Sequence, residues 1–155
     1  MKISIVMATY NRNDVLRQTL QGFVNLDVTG LDWEVVLVDN AGNDETARIS
    51  ESFSVLIPLK FLVEKAPGKN NALNSALDHA AGDLIIFTDD DVIPDKAWVK
   101  SLVAAANRWA DADLFGGRIL PKFPEGMTAP SIDDPVFMRV AYVISNFFIS
   151  CFFSF

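Results

Sequence analysis

The chain has 155 residues, half of them hydrophobic, which is enough for the core of one ordinary domain and argues against disorder. The formal net charge of −7 and the pI of about 4.5 exclude a broad basic surface for nucleic acid, so no nucleic-acid partner is expected. Its single cysteine, Cys151, excludes an internal disulfide and a cysteine-rich metal site.

Short apolar runs rich in β-branched residues recur along the chain. Near-continuous runs of this kind are typical of strands buried on both faces of a parallel sheet. The first run is too short for the apolar core of a signal peptide and is interpreted as a strand. The predicted strands are 3–7, 35–38, 59–63, 84–87 and 114–115.

Segments with helical periodicity separate these strands. The four predicted helices span Val15 to Val24, Asp44 to Phe53, Ala72 to a stop at Gly82, and Lys96 to Trp109. Asp95 is expected to cap the fourth helix, and Trp98 and Trp109 to anchor it in the core. This alternation of strand and helix predicts an α/β fold with a largely parallel sheet flanked by helices.

The character of the chain changes near Pro121, where prolines interrupt a loop that precedes an uncharged, phenylalanine-rich tail. We therefore predict a domain over 1–124 and a loop with an apolar tail over 125–155. The tail, 140–155, is shorter than the roughly 20 residues of a membrane helix. A helix packed on the domain, the start of a membrane segment and an abnormal terminus remain alternatives, so membrane association stays open.

Polar clusters follow four of the predicted strands. Ligands of open α/β sheets lie beyond the carboxyl ends of the strands, so these clusters predict one common site. They comprise Thr9 to Arg12, Asp39 with Asn40, Lys65 to Asn70, and Asp89 to Asp91. Asp39 fits a turn or capping role as well as a carboxylate that accepts hydrogen bonds from a base or ribose.

Three consecutive aspartates at the end of a buried strand repel one another unless positive charge is near. Oxygen ligands suit Mg²⁺ or Mn²⁺, which keep waters and add substrate phosphates. Side chains alternate along a strand, so Asp89 and Asp91 are expected to face one cleft and Asp90 to face away. The alternative is a turn cap with solvated neighbours.

Two phosphate-binding motifs are absent. Gly68-Lys69 lacks the other residues of a P-loop, and no dinucleotide fingerprint follows the first strand. Lys69 nevertheless falls in the first turn of a predicted helix, where it can meet an anion or simply be solvated. His79, alone on that helix, is interpreted as a surface residue.

The ordered motifs resemble a family 2 glycosyltransferase with the GT-A fold over about residues 3–124. They are "ISIVMATYNR", "VVLVDNAGNDET", "KAPGKNNALNSALDHAAGDLIIFTDDDVIP", "WV" and "FGGRILPKFP". The resemblance implies a nucleotide-diphosphate-sugar donor, with a UDP-sugar the first expectation, a divalent cation (Mn²⁺ or Mg²⁺), and inversion at the anomeric carbon. It also implies a cytoplasmic location, where such donors are made, or the inner face of the membrane.

The resemblance also implies roles for individual residues. The turn Ala8-Thr9-Tyr10 would contact base and ribose, and Asp39 would accept a hydrogen bond from the base. Asp91 is the expected direct metal ligand, with Asp89 near the ribose and also a candidate ligand. Arg12, Lys69 and Asp90 complete the candidate nucleotide-sugar contacts.

The family's catalytic base follows the "GGRI" strand, and no residue here matches it. Glu125, Asp133 and Asp134 lie in the proline-rich loop. We therefore expect a partial glycosyltransferase with an unidentified acceptor. Alternatives are a non-catalytic binding fragment and a partner-dependent subunit. Two other enzyme classes are disfavoured. A phosphotransferase would carry its aspartates after the first strand, whereas here they follow the fourth. A sugar nucleotidyltransferase would need a glycine-rich loop after the first strand, and "ATYNR" is not one.

Overall fold

The computed structural model describes residues 1–40, 42, 44–117, 119 and 151–153. Within this part of the chain, strands and helices alternate four times before two short strands follow. The elements are β1 (Lys2–Thr9), α1 (Asn13–Val24), β2 (Asp32–Asp39), α2 (Asp44–Ser54), β3 (Leu59–Val63), α3 (Lys69–Leu77), β4 (Leu84–Asp89), α4 (Trp98–Arg108), β5 (Leu114–Phe115) and β6 (Cys151–Phe153).

The strands form one sheet in the order β3-β2-β1-β4-β6-β5. The first four are parallel, with Thr9 level with Asp39 and Ala8 level with Asp89. β6 runs antiparallel to both of its neighbours. The predicted α/β fold with a largely parallel sheet is therefore confirmed.

Helices cover both faces of the sheet, which explains the continuous apolar runs of the strands. Two consecutive residues of β1 show this. Ile5 packs on the face covered by α1, α2 and α4, and Val6 packs on the face covered by α3. Both side chains have no exposed surface. On the α3 side, small residues such as Ala72 and Ala76 let that helix approach the sheet closely.

Three predicted details of the helices are wrong. Helix α3 ends at Leu77, well before Gly82, because the following residues hydrogen-bond to the sheet. Helix α4 begins at Trp98, because Asp95 first closes a turn by accepting from the N–H of Ala97. Trp109 does not anchor α4 in the core but is 53% exposed, whereas Trp98 stacks on Phe23.

The predicted domain boundary at residue 124 and most of the apolar tail lie outside the described residues. The three tail residues that are described form β6, a strand, in place of the helix considered above. No helix in the described ranges is long and apolar enough to cross a membrane.

Candidate functional site

The carboxyl ends of β1, β2 and β4 border a cleft of about 420 Å³. It brings together the predicted candidates from the first and last polar clusters and Lys69. The lining consists of Ala8, Thr9, Tyr10, Arg12, Asn40, Pro67, Gly68, Lys69, Asp89, Asp90 and Asp91. Its volume falls within the range of small-molecule sites in proteins, about 300–1,000 Å³.

Asp90 is the buried member of the three aspartates, with 4% of its surface exposed. One carboxylate oxygen accepts a hydrogen bond from Thr9 Oγ1 at 2.7 Å, and the other accepts from Arg12 Nη1 at 2.9 Å. Its backbone carbonyl accepts from Thr19 Oγ1 of α1 at 2.7 Å. Asp90 therefore ties the end of β4 to β1 and α1.

Asp89 and Asp91 are exposed, and each pairs with a cationic side chain. Lys69 Nζ donates to Asp89 Oδ1, and Arg12 Nη1 lies 3.1 Å from Asp91 Oδ2. The charge of Asp90 raises the pKa of the Arg12 guanidinium above its usual value, helped by their hydrogen bond and by the charge of Asp91. Arg12 thus stays charged at the mouth of the cleft.

The turn between β1 and α1 has an unusual backbone. Asn11 has a φ of 52°, in the left-handed region that asparagine tolerates better than most residues. Its neighbour Tyr10 is 60% exposed beside the cleft. The turn therefore presents an aromatic ring to the site while Thr9 and Arg12 remain fixed on Asp90.

Asn40 is a site residue to which the sequence interpretation gave no separate contact. Its Nδ2 donates to the carbonyls of Glu64 and Ala66, and its Oδ1 accepts from the N–H of Gly68 at 2.7 Å. These bonds hold the segment that leads into α3 and so place Lys69 opposite Asp89. The signal in the sequence was its position directly after a buried strand.

Asp39 and His79 lie elsewhere. Asp39 ends β2 level with Thr9 but has no exposed surface, and the lining of the cleft, as far as it is described, does not include it. His79 is exposed beyond the end of α3, with Nδ1 2.8 Å from the carbonyl of Ser75.

The cleft offers a divalent cation two exposed carboxylates, Asp89 and Asp91. Among the described residues, no group of three or more acidic, histidine or cysteine side chains is arranged to hold a metal ion. Mg²⁺ and similar cations, however, often take only one or two protein carboxylates together with waters and substrate phosphates. Asp89 and Asp91 can supply that smaller set.

A largely parallel sheet, with a cleft at its carboxyl edge that is lined by aspartates and by Arg12 and Lys69, defines an α/β domain with a polar candidate site. The chain belongs to glycosyl transferase family 2, whose model matches residues 4–134. The recognition made from the sequence motifs is thereby confirmed.

Two curated relatives illustrate the similarity. The chain is 27% identical to glycosyltransferase AglE of Haloferax volcanii over 129 residues, which are 82% of this chain and 42% of AglE. It is 28% identical to the poly(ribitol-phosphate) β-N-acetylglucosaminyltransferase TarS of Staphylococcus aureus over 153 residues, 94% of this chain and 26% of TarS. The chain thus spans less than half the length of either relative.

Solved structures agree on the fold. A crystal structure of S. aureus TarS 1–349 with UDP-GlcNAc matches with a TM-score of 0.67 at 28% identity, over 84% of this chain and 37% of that one. A mannosyltransferase of Pyrobaculum calidifontis with GDP-Man and Mn²⁺ matches with a TM-score of 0.59 at 27% identity, over 74% and 33%. The predicted GT-A fold is confirmed.

Proposed function

We propose that the chain binds a nucleotide-diphosphate sugar in this cleft and supplies the donor site of an inverting, divalent-cation-dependent glycosyltransferase. The observation that carries the proposal is the meeting of Asp89, Asp90 and Asp91 with Arg12 and Lys69 across one cleft. Such a site offers both carboxylates for a cation and cations for phosphates. The relatives with bound UDP-GlcNAc and GDP-Man support a donor of this class.

Each side of the cleft has its own proposed task. Arg12 and Lys69 would donate hydrogen bonds to phosphate oxygens. Tyr10, with Ala8 and Thr9, would contact the base and ribose. Asp91 would be the first ligand of Mn²⁺ or Mg²⁺, and Asp89 would lie near the ribose and be the second candidate ligand. The bound cation would neutralise charge that develops on the departing diphosphate.

The proposed contact between Asp39 and the base carries a condition. A side chain without exposed surface reaches a ligand only after its neighbours move, and Asp39 is fully buried. We therefore expect the end of β2 to rearrange when a nucleotide binds.

Transfer itself would be a single displacement. The acceptor oxygen attacks the anomeric carbon while the bond to the diphosphate oxygen breaks, which inverts the configuration at that carbon. The hydroxyl proton passes to a general base. Glu125, Asp133 and Asp134, which match no base of the family, lie outside the described residues, and no role is assigned to them.

Titration of the chain with UDP, with and without Mn²⁺, tests the donor site. Asp91→Ala is expected to weaken Mn²⁺-dependent binding by about tenfold or more, because it removes a proposed metal ligand. Asp32→Ala is the matched control, since it removes an exposed aspartate at the opposite end of β2. GDP titrated in parallel tests the base. If neither nucleotide binds the folded chain in the presence of Mn²⁺, the proposal fails.

The second candidate is a binding module without turnover, either alone or as a partner-dependent subunit. What favours it is that the acidic side chains in the described lining are Asp89, Asp90 and Asp91, and the proposal above uses all of them on the donor side, which leaves none as a general base. Release of UDP from UDP-GlcNAc by the chain alone would exclude it. Tight binding without release would support it.

A further inference from the structure

Each aspartate of the cleft contacts a basic side chain, although three carboxylates share only two cations, Arg12 and Lys69. Lys69 Nζ contacts Asp89, and Arg12 Nη1 contacts both Asp90 and Asp91, at 2.9 and 3.1 Å. The carboxylates that a divalent cation would need as ligands are therefore already paired with Arg12 or Lys69. A cation or a diphosphate that enters must compete with these pairs.

The two basic side chains are held very differently. Arg12 is fixed on Asp90, whose side chain is only 6% exposed and also accepts from Thr9. Lys69 and Asp89 are instead 60% and 54% exposed. Ion pairs between exposed side chains contribute little to stability, and the lysine stem is flexible. Lys69 is therefore the cation that can be exchanged.

The backbone that carries Lys69 is held by contacts that do not involve its side chain. Lys69 is the first residue of α3, and the preceding Gly68 donates its N–H to Asn40. Only the side chain has to move from Asp89 towards a ligand in the cleft.

We propose that Lys69 is an exchangeable counter-ion of Asp89, which competes with a divalent cation for that carboxylate and passes to the diphosphate when the donor binds. This inference rests on the proposed function of the cleft. In the absence of a diphosphate the freed ammonium has no partner, so the cation alone binds weakly. With a diphosphate present, the departure of Lys69 from Asp89 frees a carboxylate for the cation and gives the diphosphate an ammonium partner. Each ligand then strengthens the binding of the other by the same factor.

Titration with Mn²⁺ alone, followed by the electron paramagnetic resonance of free Mn²⁺, tests the competition. Lys69→Met is expected to bind Mn²⁺ about two- to fivefold more tightly than the wild-type chain, which corresponds to the loss of one exposed ion pair. Lys65→Met is the matched control, because Lys65 is exposed on the same segment but does not line the cleft. It removes the same charge and is expected to change the affinity less.

A variant pair separates the Lys69–Asp89 contact from the general effect of charge. In an Asp89→Asn chain, Lys69→Met should tighten Mn²⁺ binding no more than Lys65→Met does, because the carboxylate under competition is gone. Both lysines are exposed, so unchanged thermal unfolding checks that the variants keep the fold.

Inorganic pyrophosphate serves as a base-independent probe of the exchange. The gain in Mn²⁺ affinity that it produces should be smaller in Lys69→Met than in the wild type. Formation of the Mn²⁺–pyrophosphate complex in solution is common to all variants and cancels in the comparison.

Two negative results are distinguishable. Equal Mn²⁺ affinities of Lys69→Met and Lys65→Met would overturn the exchange. The donor site would still stand if the wild-type chain bound Mn²⁺ with pyrophosphate and Asp91→Ala did not. Absence of Mn²⁺–pyrophosphate binding from the wild-type chain would overturn the donor site itself, and the exchange with it.

Discussion

Three neighbouring aspartates in one sequence perform different tasks in the fold. Asp90 is buried and bonded to Thr9 and Arg12, whereas Asp89 and Asp91 face solvent and hold exchangeable or weaker partners. The strand alternation expected from the sequence does not cause this difference, because β4 ends at Asp89, Asp90 and Asp91 lie in the turn that follows, and all three residues line the cleft. The carboxylate of Asp90 therefore stabilises the fold, whereas those of Asp89 and Asp91 remain accessible to a ligand.

We expect Asp90→Ala to lower the free energy of unfolding by about 1–3 kcal/mol, because it leaves the buried hydroxyl of Thr9 without its acceptor. Asp91→Ala should change it by less than about 1 kcal/mol, since Asp91 contributes only an exposed ion pair. Urea unfolding followed by circular dichroism measures both. Equal losses in the two variants would contradict the structural role of Asp90.

The sequence predicted where the site lies better than how its residues are used. Carboxyl ends of parallel strands meet at one edge, so the clusters after β1 and β4 had to converge. The burial of Asp39 and the bonds of Asn40 depend on the path of segments that pack from elsewhere in the chain. Neither is encoded in the local pattern around these two residues.

Strands were easier to predict than helix ends at the scale of secondary structure. β3 and β5 have the bounds expected from their apolar runs, and β1, β2 and β4 contain theirs. In these last three the runs are almost entirely buried, as expected for strands covered on both faces. The end of α3 was missed because its cause is tertiary. Glu34 of β2 accepts from the N–H of Ala81, and Ser4 of β1 accepts from the N–H of Gly82, which draws both residues out of the helix.

Gly82 is required for close approach and does not end the helix. A Cβ at this position would lie 2.5 Å from the backbone nitrogen of Ser4, and backbone atoms cannot move aside cheaply. We expect Gly82→Ala to destabilise the fold by about 1–3 kcal/mol or more. Thermal and urea unfolding measure the change.

Gly117→Ala is the control for this substitution. The nearest atom to a Cβ there, Nε1 of Trp98, is 3.8 Å away, so the change should stay within about 0.5 kcal/mol. A tolerated Gly82→Ala would mean that β1 and the start of β4 are less tightly joined than the structure indicates.

At the scale of the whole molecule, ligand chemistry and structural reinforcement occupy opposite edges of one sheet. The cleft lies at the carboxyl ends of the strands, whereas Glu34, Ser4 and Gly82 join β1, β2 and the approach to β4 near the other edge. With 20 acidic residues against 13 basic ones, stability must depend on how well individual carboxylates are stabilised.

Glu34 is one such carboxylate. Its burial alone would raise its pKa, but hydrogen bonds from Ser4 and from the N–H of Ala81, with the charges of Lys2 and Lys60, outweigh burial and lower the pKa below 4.5. A carboxylate whose pKa is lower in the folded than in the unfolded chain stabilises the fold above its unfolded pKa. That contribution is lost as the pH falls through the folded value.

We therefore expect Glu34→Gln to be less stable than the wild type at pH 7 and the difference to shrink as the pH falls below 4.5. Glutamine keeps an oxygen that can accept from Ser4 and Ala81, so the pH-dependent part reports the charge. Urea unfolding at a series of pH values measures the gap. Glu51→Gln, exposed on α2, controls for the loss of one negative charge. A gap that stays constant down to pH 2 would show that the charge of Glu34 contributes nothing to acid sensitivity.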